Sequence, residues 1–88
     1  MADKEKPIAI PPYIRTIADL IQWLADTQHG GSKSALSRKV GASIATASFW
    51  ARGDVLPNLH FLERISDRHH LSFDAVMKLW RDSRDKRQ

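Results

Sequence analysis

The stretch Leu36-Ser37-Arg38-Lys39-Val40-Gly41-Ala42-Ser43-Ile44-Ala45-Thr46-Ala47-Ser48-Phe49-Trp50 decides the fold. Leu36 and Val40 stand four residues apart, which places them on one face of a helix. Ser32 lies just upstream and has the side chain of an N-cap, so the spacing predicts a short helix over Lys33–Val40. Gly41 supplies left-handed backbone for a tight turn, and Ser43 can cap a second short helix from Ile44 to about Arg52, which Gly53 ends. Small residues recur where the two helices must cross: Ser37 on the first and Ala47 on the second. A bulky side chain at either position would splay the pair. Leu36, Val40, Trp50 and Leu62 are the predicted wedge of core that holds the crossing angle.

Upstream, residues Met1 to Pro12 read as a flexible tail, charged first and then broken by Pro7, Pro11 and Pro12. A helix is expected from near Tyr13 to Gln28. Its apolar stripe is Ile14, Ile17, Ala18, Ile21, Leu24 and Ala25, and His29-Gly30-Gly31 follows as terminator. Downstream, Gly53 to Pro57 reads as a loop. Asn58 caps a fourth helix with Leu59, Leu62 and Ile65 inward and Phe61 as a further candidate, and His69-His70 marks its expected frayed end. Ser72 caps a fifth helix with a stripe of Phe73, Val76, Met77 and Trp80. The domain is expected over 13–81, with 82–88 as a basic, fraying tail. No strand, repeat or low-complexity segment is visible.

Composition bounds the function. A chain of 88 residues buries one modest core, which argues against an elaborate enzyme pocket. With 42% hydrophobic and 27% charged residues it reads as a globular domain. There is no cysteine, which removes disulfides and thiolate metal sites. The apolar runs are too short to span a membrane, and Met1 to Lys6 lacks the apolar stretch of a signal peptide, so a cytoplasmic location is expected.

Charge is unevenly placed. Between Ser32 and Gly53 stand Lys33, Arg38, Lys39 and Arg52, with no acid; the other ten of the 14 basic residues are matched by the 10 acidic ones. All of the formal net charge of +4 therefore sits in this window, and a local positive field attracts polyanions. Arg38 and Lys39 point about 100° apart on a helix, so one of them at most faces a phosphate backbone.

Helix, glycine turn and helix in this order form a helix-turn-helix plan. The chain resembles the Cro/phage-repressor-like (XRE-type) helix-turn-helix domains. The resemblance runs from Tyr13 to Trp80 and is carried by Leu36 to Gly41, Ser43, Thr46, Ser48, Trp50, Gly53, Pro57, Leu59, Leu62, Ile65 and Leu71-Ser72-Phe73. It implies an all-α, five-helix, lambda-repressor-like domain that binds double-stranded DNA as a transcriptional regulator. Ser43, Ile44, Ala45, Ser48 and Phe49 of the third helix would face the bases, while Lys33, Ser34, Arg38 and Arg52 would hold phosphates. Here Lys33 and Ala51-Arg52 depart from the family's usual Gln and Glu-Asn, and Asp54 brings a negative charge to a loop that often approaches phosphate. One such module buries little surface, so a homodimer is expected, with Val76, Met77 and Trp80 as the candidate contact.

Other chemistries fare worse. His29, His60, His69 and His70 lack the spacing of a zinc site, so no metal or other cofactor is expected. Ser, His and Asp form no triad motif, and Gly30-Gly31 is a connector rather than a phosphate loop. The rival reading is a protein-interaction module on the same fold. Ile44, Ala45 and Phe49 make the third helix unusually apolar, and an exposed apolar face also suits a protein partner.

Overall fold

Five helices succeed one another in the computed structural model, which describes residues 7–87: α1 (Ile17–Gln28), α2 (Lys33–Val40), α3 (Ile44–Arg52), α4 (Leu59–Arg68) and α5 (Phe73–Arg87). The fold is all-α. Among the described residues there is no strand, only an isolated parallel bridge between Ile8 and Leu71.

Local hydrogen bonds explain the helix starts. The hydroxyls of Ser32 and Ser43 accept from the backbone N–H groups of Ala35 (3.0 Å) and Thr46 (3.1 Å), and Asn58 Oδ1 accepts from Phe61 (3.0 Å). Each satisfies one of the N–H groups that a helix start leaves orphaned. The two central helices also end alike. Gly41 (φ 75°) and Gly53 (φ 79°) take the left-handed conformation. The next N–H reaches back five residues, Ala42 to Ser37 O at 2.9 Å and Asp54 to Phe49 O at 3.0 Å.

α1 packs on α2, α3 and α5; α2 also meets α3 and α4, and α4 meets α5. The core is formed by Ile17, Leu20, Ile21, Leu24 and Ala25 of α1, Leu36 and Val40 of α2, Ala47 and Trp50 of α3, Leu62 and Ile65 of α4, and Val76 and Leu79 of α5. Ser37 and Ala47 are buried on the facing helices α2 and α3, as their size requires. Trp50 meets Phe61 edge-on at 5.1 Å between ring centres.

The boundaries expected outside this centre shift. α1 begins at Ile17, not near Tyr13, because Thr16 accepts from the N–H of Asp19 (3.1 Å) while Asp19 Oδ2 accepts from the N–H of Arg15 (3.2 Å). Tyr13 lies instead in a turn closed by Ile14 N–H on Pro11 O at 3.0 Å. Of the stretch read as a tail, Met1 to Lys6 lies outside the described residues. Further along, Ile8 N–H donates to His70 O at 2.6 Å, and Ile10 packs on the core.

Leu59, expected inward, is 56% exposed. The inner face of α4 is centred on Leu62, Ile65 and Ser66, and Leu59, in the first turn of the helix, lies outside the packed core. His69 is not part of a frayed end; it is fully buried. On α5, Phe73 lies at the exposed rim while Leu79 and Ser83 turn inward. Nor does α5 fray after Arg81: Ser83 Oγ accepts the N–H of Ile17 at 2.8 Å and donates to Leu79 O at 2.8 Å. This bond ties the C-terminal helix to the orphaned start of α1.

Candidate nucleic-acid interface

Position on α3 is dictated by its two anchors. Ala47 and Trp50 point into the core, Ser48 and Phe49 between them turn to the outer side, and Ile44 and Ala45 before them are exposed as well. Ile44 is 55% exposed and Phe49 42%; Ser43 and Ala45 are also exposed, and Ser48 is half-buried. The five residues expected to face bases therefore all reach the surface of one short helix. Their chemistry is mostly apolar. The Ser43 hydroxyl is already engaged, accepting from Thr46 N–H and donating to Thr46 Oγ1 at 2.9 Å. Ser48 is left as the one hydroxyl of the set with no such role in capping.

The residues expected on phosphates divide. Lys33 and Ser34 lie in the first turn of α2, both half-buried. Ser34 Oγ accepts from Arg38 Nη1 at 2.9 Å, so the exposed Arg38 folds back along its own helix. Arg52, at the end of α3, is held on two sides. Its guanidinium carbon stands 5.1 Å from the centre of the Phe49 ring, and its Nε donates to Asp54 Oδ2 at 3.0 Å. Asp54 thus offsets one of the four cations of the acid-free window, and the Schellman turn at Gly53 brings it there.

Two further cations escaped sequence reading. Arg64 Nη1 donates to Val40 O at 3.2 Å and Arg68 Nη1 to Lys39 O at 2.8 Å. Both belong to α4 and cap the last carbonyls of α2, where positive charge suits the helix dipole. They bring two guanidinium groups to the end of α2, one of them on the carbonyl of Lys39. Their i, i+4 spacing was visible, but the end they cap lies 24 and 29 residues away in sequence.

The expected dimer contact does not hold together as a surface. Val76 is fully buried in the core. Trp80 is half-buried, donates from Nε1 to Pro57 O at 3.0 Å and carries the Arg84 guanidinium over its ring, so it serves first to pin the α3–α4 loop on α5. Met77 is half-buried beside the core.

Elsewhere, two shallow clefts of about 280 and 310 Å³ share Ile14 in their walls and include none of these site residues. Among the described residues, no group of three or more His, Cys, Asp or Glu is placed to hold a metal ion, and no helix is long and apolar enough to cross a membrane. No protein family, curated protein or solved structure matches this chain.

Proposed function

We propose that this chain is a DNA-binding transcriptional regulator of the Cro/repressor-like kind, which lays α3 in the major groove of double-stranded DNA with α2 across it. The observation that carries the reading is the attitude of α3. Ala47 and Trp50 anchor it from beneath, and Ser43, Ile44, Ala45, Ser48 and Phe49 line its outer side. In this reading Lys33, Ser34 and Arg38 on α2, and Arg52 once released from Asp54, hold phosphates on either side. Readout is by shape and methyl contact more than by hydrogen bonds, because Ile44 and Phe49 have no polar group to offer a base edge. Binding as a homodimer on a two-fold site would raise the affinity of so small a module.

A salt titration on random duplex tests the reading. Neutralising phosphates releases counterions, so log affinity should fall linearly with log salt, with a slope of about one per phosphate contact. Lys33→Ala should lower that slope by about one and weaken binding alike on all sequences. An affinity indifferent to salt sinks the proposal.

The exposure of Ile44 and Phe49 favours a second reading, a protein partner docked on α3. Duplexes carrying uracil for thymine separate the two, since uracil lacks only the methyl group. Wild type that binds both duplexes equally, with Phe49→Ala changing neither, points to the protein partner.

A further inference from the structure

His69 is the largest titratable group in the core and has no place in the proposed interface. Its ring is fully buried, at the C-terminal end of α4. Nδ1 lies 3.0 Å from Ile65 O, which can only accept, so Nδ1 carries the proton and Nε2 of the neutral ring is bare. That bare nitrogen lies 2.9 Å from Nε2 of His29, which must therefore be the donor. The ring centres are 5.1 Å apart with planes at 83°, so the rings meet head-on. Their nitrogens aim at each other and do not converge on a third point. This geometry suits one shared proton and not an ion chelated beside the pair.

We propose that the His29–His69 pair is an acid-released latch, which holds the α1–α2 connector against the end of α4 while both rings are neutral and lets it open when they are protonated.

His29 is the C-cap of α1 and the last residue before Gly30-Gly31-Ser32. Gly30 (φ 60°) and Gly31 (φ 88°) are both left-handed, and Ser32 N–H donates to His29 O at 3.0 Å. Ser32 then caps α2. The start of α2 thus hangs from His29. A first proton can enter at Nδ1 of His29 and leave the bridge intact. A second, at Nε2 of His69, sets two N–H groups face to face across 2.9 Å, and the bridge breaks.

The surroundings oppose even the first charge. Burial lowers the pKa of both rings below 6.5, and Lys39 of α2 lowers both further. His70 and the His29 ring itself act on His69 in the same direction, and only the bond to Ile65 O raises it. From α1, Gln28 contributes a neutral amide, donating to His69 O at 3.4 Å. Among the described residues no carboxylate pairs with either ring. Since both folded values lie below the unfolded 6.5, the latch contributes fully above that pH and is lost as pH falls through the folded values.

Nuclear magnetic resonance of the full chain tests this without reference to DNA. Ring nitrogen shifts should show His69 as the Nδ1–H tautomer at about pH 7.5, with both rings titrating below the free value. Amide exchange at 30–35, corrected for its intrinsic pH dependence, should rise about tenfold or more between about pH 7.5 and 5, ahead of the exchange of the core helices. His29→Gln keeps a donor for His69 Nε2, and its amide can flip to accept once that ring is charged. The acid-induced rise should therefore vanish in this variant. An unshifted titration of both rings, or the same rise in wild type and His29→Gln, overturns the proposal.

Discussion

A Cβ at Gly41 would run into the Arg64 guanidinium, and the backbone there is left-handed at φ 75°. Glycine is thus required by conformation, while the crowding falls on the far end of a flexible side chain that can move aside. Gly41→Ala should destabilise the fold by about 1–2 kcal/mol from the left-handed backbone alone, with a further loss as Arg64 is pushed off Val40 O. A thermal melt unchanged from wild type would mean that the turn re-forms without its glycine. Asp54 presents the opposite situation, a residue whose removal should help binding. It holds Arg52 in an exposed ion pair, and such pairs are worth about 0–1 kcal/mol, so under the proposed function a DNA phosphate would displace it at little expense. Asp54→Asn keeps the backbone bond to Phe49 O and frees the guanidinium. Binding to random duplex should tighten severalfold and the salt slope should steepen by about one. Both changes should disappear in a background of Arg52→Ala; if they persist, Asp54 acts through bulk charge and not through Arg52.

On α3, one short helix divides its work between two sides. Trp50 is fully buried against Phe61, so Trp50→Ala should lose about 3–5 kcal/mol and unfold the domain or nearly so. Phe49, its neighbour in sequence, is 42% exposed and should behave oppositely. Phe49→Ala should melt near the wild-type temperature while flattening the preference among DNA sites. The pair of melts checks the rotation of the helix directly: a stable Trp50→Ala or an unfolded Phe49→Ala would show that α3 is turned the other way. Helical period went part of the way to this division: with Ala47 and Trp50 inward, Ile44 and Phe49 cannot both turn fully inward, and the structure leaves both exposed. It did not anticipate Arg52 lying over Phe49, because a guanidinium's course along a surface depends on which acceptor the following turn delivers.

For the molecule as a whole, closure is helped by a bond between the first and last helices. Ser83 and Ile17 are 66 residues apart, and the serine satisfies an N–H that the start of α1 leaves orphaned and buried. Ser83→Ala should cost about 1–3 kcal/mol, more than a surface serine, because a buried donor loses its partner. A melt within error of wild type would mean that water replaces the hydroxyl. What the sequence determined by itself was local: the helix class, the bounds of α2 and α3, and the caps at Ser32, Ser43, Asn58 and Ser72. These rest on hydrogen bonds across three or four residues and on a repeating apolar period, both written in consecutive letters. The outward face of α3 was legible for the same reason. Only the tertiary structure decided that His69 is buried against His29, that Arg64 and Arg68 cap α2, that Val76 is core and Leu59 surface, and that Ser83 reaches α1. Each of these joins or sorts residues by where helices cross. The crossing angle is set by the whole set of packed side chains, so no short stretch of sequence carries it.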